Sequence, residues 1–443
     1  MARARMAGNS RLLTVLATGL LVLNAQAAQT THTTVRHQKI AVEDPSFPPE
    51  LKQAEAAIQK RDYATAEPLL RKVTERNPSN YQAWFDLGFV YNAQGQVEQS
   101  VAAYRKSVAA KPDVFESNLN LGLMLVKSNQ PDSEKFLRAA TALTPTDRVQ
   151  EGQERAWLSL GHVLEASKPT EALAAYRRAA ELQPRDPEPH LSAASLLEKE
   201  NQFAEAEHQY RQVLTVDPKS ADALIGISNI YMRGARLLEA ADTLRQLVAV
   251  RPDYAPGHLQ LGRVLAADQK YADAAAELEA GRKLAPDDTP AQKDLADVYL
   301  ALGKYDRALP LYQTLLAGSP DDPVLHQSLG RAYMKKRDFP AAEKEFLTAL
   351  ELKPDFGDAY WDLANAASEN KNYQRTIQAL DLRRKFLPEN PGSYFLRATA
   401  YDHLRVYKEA AVNYHRFLET ANGQFPDQQW QARHRLIAIE PKK

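Results

Sequence analysis

A proline recurs every 34 residues through most of this chain. Pro78 and Pro112 are one such step apart, and Pro184, Pro218, Pro252, Pro286, Pro320, Pro354 and Pro388 follow at the same interval. Pro145 stands between the two runs, 33 residues after Pro112 and 39 before Pro184. A fixed period near 34 predicts one supersecondary unit stacked many times instead of a single globular core.

Other positions keep the same beat. Ten residues after each proline comes a small residue: Gly88, Gly122, Ala194, Ser228, Gly262, Ala296, Gly330, Ala364, Ala398. Eight residues before it sits Leu or an aromatic, as at Leu70, Tyr104, Tyr176, Tyr210, Tyr312, Phe346 and Tyr414. An alanine usually lies twelve residues before it, as at Ala66, Ala172, Ala206 and Ala342. Within the unit the apolar positions fall at i, i+3, i+4 and i+7, as in Trp84, Leu87, Gly88 and Tyr91. That is one stripe of an amphipathic helix. A second such stripe, Ala206, Tyr210, Val213 and Leu214, follows a short polar turn. Small residues facing bulky ones let two helix axes approach closely. The proline just beyond the second helix stops it from continuing.

This pattern resembles the tetratricopeptide repeat, carried by Trp84, Leu87, Gly88, Tyr91, Tyr104 and Pro112. It returns in Trp157, Leu160, Gly161, Leu164, Ala172, Tyr176, Ala179 and Pro184. The resemblance implies an all-α, right-handed α-solenoid of about eleven helix-turn-helix units over 47–425. The third and fourth units are each one residue short in the inter-helix turn, and about six extra residues fall at Asp147 to Gly152. These extra residues either widen a joint or bulge out as a surface loop. Arg383 takes a place that is normally small, which predicts a looser joint or a side chain that snorkels outward. Residues 426–443 read as a capping helix and tail, with Trp430, Leu436 and Ile437 on its apolar face. Its alternative is a docking helix for a partner.

The N-terminus reads as a signal peptide over 1–27. Arg3, Arg5 and Arg11 precede the apolar stretch Leu12 to Leu23, and Ala25-Gln26-Ala27 offers a small-x-small cleavage site. An uncleaved anchor is the alternative, and membrane contact is expected only through this segment. Residues 28–46 are polar and aperiodic, which predicts a flexible linker. The expected localisation is exported, periplasmic or secreted. There is no cysteine, so disulfides are excluded. Lys plus Arg equal Asp plus Glu at 56 each, so no broad basic field favours nucleic acid.

Catalytic motifs are not found. His190, His258 and His326 share one repeat position 68 residues apart. Helices pack about 8–10 Å apart, whereas zinc ligands converge within about 2.0–2.3 Å of one ion. They read as packing or groove-lining residues, and no metal, cofactor or enzyme activity is expected. The acid pairs Asp287-Asp288 and Asp321-Asp322 precede helices and read as N-terminal caps.

The resemblance further implies that the first helix of each unit lines a concave groove contacting protein or peptide partners. Beside the core stripe lies a second stripe. It gives the candidate groove residues Phe85, Phe89, Leu119 and Leu123, then Asn229, Met232, Arg233 and Arg263. Lys293, Asp297, Leu300, Arg331, Met334, Lys335, Trp361, Asn365 and Phe395 complete it. The early stretch is apolar and suits an amphipathic helix or apolar strip. The later one, with Arg263, Arg331, Lys335, Trp361 and Asn365, suits an extended peptide bearing acidic groups. One subclass of the family clamps a C-terminal carboxylate with Lys and Asn residues. Ile225 and Trp361 replace its lysine here, so that clamp is not carried over. The expected function is a non-catalytic scaffold in a cell-envelope assembly, secretion or export complex. The alternative is a carbohydrate-handling accessory, with Phe85, Phe89 or Trp361 stacking on glycan.

Overall fold

The computed structural model describes residues 35–37 and 48–440, which hold 23 α-helices and no strand. The all-α expectation is met. The chain divides into two compact bodies after Arg251. The N-terminal body contains α1 (Pro49–Gln59), α2 (Tyr63–Arg76), α3 (Tyr81–Ala93), α4 (Val97–Ala110), α5 (Phe115–Lys127), α6 (Ser133–Ala142), α7 (Val149–Leu164), α8 (Pro169–Leu182), α9 (Glu188–Lys199), α10 (Phe203–Val216), α11 (Ala221–Arg233) and α12 (Leu237–Val250). The C-terminal body contains α13 (Ala255–Ala267), α14 (Tyr271–Leu284), α15 (Thr289–Ala301), α16 (Tyr305–Gly318), α17 (Pro323–Lys336), α18 (Phe339–Leu352), α19 (Gly357–Glu369), α20 (Tyr373–Arg383), α21 (Pro391–His403), α22 (Tyr407–Thr420) and α23 (Pro426–Ile439). Among the described residues that makes eleven helix pairs and one last helix.

Each pair is punctuated locally. Asn80 Oδ1 accepts from the Ala83 amide at 2.9 Å, and Asp288 Oδ1 accepts from the Ala291 amide at 2.8 Å. Asp322 Oδ1 accepts from Val324 and Leu325 at 2.8 and 3.2 Å. These acids therefore satisfy amides that an α-helix leaves unpaired at its start. Between the helices of a pair the chain turns through a left-handed residue such as Gly95, at φ 79°. Glycine adopts that conformation without the Cβ penalty that Ala235 carries at φ 55°.

A clasp closes the joint at the proline. The side chain six residues after it donates back to the proline's carbonyl oxygen. Trp84 reaches Pro78 at 2.9 Å, Asn118 reaches Pro112 at 2.8 Å and Gln292 reaches Pro286 at 2.8 Å. His258, His326 and Tyr360 do the same to Pro252, Pro320 and Pro354 at 3.0, 2.9 and 3.0 Å. The histidines that share a repeat position thus act in separate joints. The opposite ring nitrogens of His258 and His326 lie 2.7 Å from Glu277 and Glu345, while His190 lies 2.7 Å from Gln209.

The core is built from the small-against-large pairs. Tyr104 and Phe346 are fully buried. A Cβ added to Gly88 would come within 2.9 Å of the Tyr104 ring, and one on Gly330 within 2.6 Å of Phe346. Substituting either glycine overpacks the joint, which costs about 1–3 kcal/mol.

Three expectations need correction. The extra residues near 147–152 do not all bulge out as a surface loop: Asp147 and Arg148 stay in the exposed connection and the rest are helical. They lengthen α7 to 16 residues, against 13 in α3, and start it at Val149 after Arg148 at φ 46°. Gly152 packs there against Pro145 and Phe115. Arg383 neither loosens its joint nor snorkels: it is buried, and its Nη1 donates to the Pro388 carbonyl oxygen at 2.9 Å. On α23, Leu436 is buried with Ala432, but Trp430 and Ile437 are 63 % and 72 % exposed. The cap is held as much by Arg435, which forks onto Asp402 at 2.5 and 2.7 Å.

The signal segment lies outside the described residues, and of the linker only 35–37 are described. No helix among the described residues is long and apolar enough to cross a membrane.

Candidate partner-binding face

The first helices of the second, third and fourth pairs, α3, α5 and α7, carry a row of polar side chains at equivalent positions. Eight residues after Pro78 and Pro112 come Asp86 and Asn120, and Ser159 holds the corresponding place beside Leu160-Gly161. All three are at least nine-tenths buried. Each precedes a core leucine by one residue and borders the candidate stripe read from the sequence, Asp86 lying three residues before Phe89. Burying such groups costs free energy unless a partner is supplied.

For two of them the partner comes from the segment expected to be a flexible linker. His37 Nε2 lies 2.8 Å from Asp86 Oδ1. Asn120 Nδ2 donates to the Arg36 carbonyl oxygen at 3.3 Å, and the Arg36 guanidinium donates to Glu151 on α7 at 2.7 Å. Val35 is 6 % exposed and belongs to the buried cluster containing Phe85, Tyr104, Leu119 and Leu123. Three residues of non-helical chain thus engage three successive first helices. Because Arg36 reaches α7 and His37 reaches α3, the segment runs against the order of the repeats. At 35–37, therefore, the linker is packed on the repeats.

The extra turn of α7 enriches this face. It brings in Glu151, and the part of α7 that matches α3 begins with the buried Glu154 and Arg155. Burial, reinforced by Asp186, pushes the Glu154 carboxyl up to about 8. Burial, reinforced by the Arg36 charge, pulls Arg155 down to about 10. Among the described residues, Arg155 Nε and Nη2, Glu154 Oε1 and Ser159 Oγ have no hydrogen-bond partner. Glu116 Oε1 accepts from the Thr146 amide and hydroxyl, both at 2.8 Å, and so ties the chain before α7 to α5.

The sequence-derived candidates divide sharply. Phe85 is fully buried with residues 35–37 in place, edge-on to Tyr104 with centroids 5.7 Å apart and 6.4 Å from the His37 ring, so it forms the wall of the face. Leu119 and Leu123 are buried likewise. Phe89 is half-buried, its ring 5.0 Å from the His37 imidazole. Farther along the N-terminal body, Asn229 is half-buried, with its Oδ1 unpaired. Arg233 is exposed, 3.7 Å from Glu198 and 5.6 Å from the Phe203 ring.

In the C-terminal body the expected cationic surface is largely neutralised. Arg263 Nε donates to Asp294 at 2.6 Å, and Arg331 donates to Asp362 at 2.8 Å through Nε and 2.7 Å through Nη2. Burial raises both aspartates above the ordinary carboxylate range, against the pull of these arginines. Lys335 is exposed and has no ion pair among the described residues. Trp361 is half-buried under Arg383, 5.9 Å from its ring, and Asn365 donates to the Trp361 carbonyl oxygen at 2.7 Å. Arg263 and Arg331 thus link successive repeats through these aspartates.

A shallow 370 Å³ depression lies elsewhere, beside α18 and α20 and lined by Pro340, Lys344, Leu347 and Glu351. Its acid Glu343 is already held by Arg375 at 2.7 Å and Asn370 at 2.6 Å.

Comparison with known proteins bears on the family. Two models, each described as tetratricopeptide repeat, match: one at residues 51–115 and 259–323, the other at 197–261 and 299–364. Together they take in more than half of the chain. Tetratricopeptide repeat protein 37 of Xenopus laevis is 34 % identical over 87 residues, which is 20 % of this chain and 6 % of that protein. Among solved structures, the Cut9–Hcn1 hetero-tetramer of the APC/C aligns over 87 % of this chain and 97 % of its own, at 14 % identity and TM-score 0.43. Yeast Tom70 aligns over 88 % and 94 %, at 14 % identity and TM-score 0.36. YrrB, a TPR protein with an unusual peptide-binding site, aligns over 42 % and 96 %, at 24 % identity and TM-score 0.39. The helix pairs, the proline beat and the matched models together show that this chain belongs to the tetratricopeptide-repeat family.

Proposed function

We propose that the chain is a non-catalytic scaffold that holds segments of partner proteins on the first-helix face of its repeats, in an exported setting such as a cell-envelope assembly or secretion complex. The observation that supports the binding mode is the seating of Val35, Arg36 and His37 across α3, α5 and α7. It supports the reading because the segment makes an apolar insertion and charged rim contacts, the two components of peptide recognition.

The test is site-specific photocrosslinking in intact cells, with the photoreactive residue at Phe89, Asn229 or Lys335 and, separately, on second helices at Arg178 or Thr314. Protein adducts should concentrate at the first-helix sites. Adducts confined to second-helix sites would overturn the assignment of the face. The exported setting has its own check, the mass of the protein recovered from cells. Cleavage after Ala27 is expected, and an intact N-terminus would count against it.

A further inference from the structure

We infer that Val35-Arg36-His37 is a built-in competitor for the face formed by α3, α5 and α7, and that the partner this face fits is a short non-helical segment presenting an aliphatic side chain followed by cationic ones. This deepens the proposed function and rests on it. The argument starts from the acids. Asp86 is 4 % exposed and Glu151 is half-exposed; Glu154 and Glu116 are buried beside them. Arg155 is the only basic side chain buried on this face among the described residues, and its fork pairs with neither Glu154 nor Glu151. The face thus carries more acid than base, and a buried carboxylate such as Asp86 needs a hydrogen-bond partner delivered from outside its own helix.

The chain's own segment delivers it. His37 meets Asp86, Arg36 meets Glu151, and Asn120 receives the backbone between them. Val35 supplies the apolar insertion, and Phe89 lies against the imidazole. The grip is nonetheless small. It consists of one aliphatic side chain, one exposed ion pair of the kind worth about 0–1 kcal/mol, and two polar contacts. It is tethered, so its occupancy depends on effective concentration more than on intrinsic affinity. A contact of this sort is displaced by a partner segment that makes the same interactions and adds flanking ones.

The experiment uses the full chain and a fluorescently labelled peptide with the sequence of residues 33–39. In the chain carrying Val35→Asp and Arg36→Glu the self-segment loses its hold, and peptide affinity measured by anisotropy should rise at least tenfold over the unaltered chain. Adding Glu151→Lys to that chain should weaken binding at least fivefold, and a peptide with Glu in place of Arg should recover it. Circular dichroism melting of each variant verifies the fold, which no helix-core change here threatens. Equal, weak binding to the released and unaltered chains overturns the inference, as does binding indifferent to the Glu151 swap. If photocrosslinks still map to first helices in that event, the scaffold reading stands and only the competitor is lost. If they do not, the face itself is wrongly assigned.

Discussion

The two bodies solve one electrostatic problem in opposite ways. In the C-terminal body, the acid eight residues after the proline receives its counter-charge from the preceding repeat: Arg263 serves Asp294, and Arg331 serves Asp362, each 31 residues apart. In the N-terminal body, the place of those arginines is taken by Glu55, Phe89 and Leu123. No cation can come from there to Asp86. Its hydrogen-bond partner is instead His37, 49 residues away and outside the helices. The lesson is that the same repeat position is structural where its neighbour is basic and receptive where its neighbour is acidic or apolar. An array can thus keep a uniform scaffold and still confine binding to a few units.

The largest effect should come from breaking the built-in pair. Asp294→Ala leaves the half-buried Arg263 uncompensated and should cost about 3 kcal/mol, read from urea unfolding of the C-terminal body. A loss below 1 kcal/mol would mean that the pair is dispensable and the contrast between the bodies empty. Asp86→Asn removes only a contact to a tethered segment and should cost about 1 kcal/mol or less. It should, however, raise tryptic cleavage at Arg36 several-fold, because the segment loses its anchor at the adjacent His37. Unchanged cleavage would show that Asp86 does not retain the segment.

A pH series sharpens the comparison further. The folded Glu154 carboxyl titrates near 8 because it is buried, and Glu188 on α9 near 7 for the same reason, against an ordinary value of 4.5. The folded state therefore keeps protons that the unfolded chain has released. The associated stability is full below about pH 4.5 and is lost as pH rises toward 8. For each such group the loss approaches about 1.4 kcal/mol per unit separating the two values. The N-terminal body should melt at lower temperature at pH 8 than at pH 5, and Glu154→Gln should flatten that slope. A slope unaltered by the substitution would remove Glu154 as its source. The smallest effect belongs to Lys335→Ala. An exposed, unpaired lysine should change stability by less than about 0.5 kcal/mol, so any larger loss of partner capture by this variant reports on binding alone.

Much of the fold was legible because its determinants repeat. The proline interval, the glycine beside each buried aromatic and the acids before helices each have one local physical meaning, and together they yielded the helix pairs and their caps. The face was less legible. A stripe drawn by helical angle placed Phe85 outward, where Tyr104 and His37 pack on it, and it placed Arg263 and Arg331 on the same stripe, where the next repeat supplies their aspartates. The polar row at Asp86, Asn120 and Ser159 carried a readable signal that the stripe missed: polar residues set immediately before core leucines in otherwise apolar helices. Nothing local marked residues 35–37, whose contacts span up to 115 positions. Their role is a property of tertiary proximity, and aperiodic polar composition said only that they do not form a repeat.

The proline clasp has a practical corollary. Because each bond runs between residues only six apart, the six joints that have it carry one fastening that lies within a short stretch of chain. Whole 34-residue modules could therefore be duplicated, excised or exchanged with the latch intact, making the array a natural substrate for growth by unequal recombination and for cut-and-paste protein engineering.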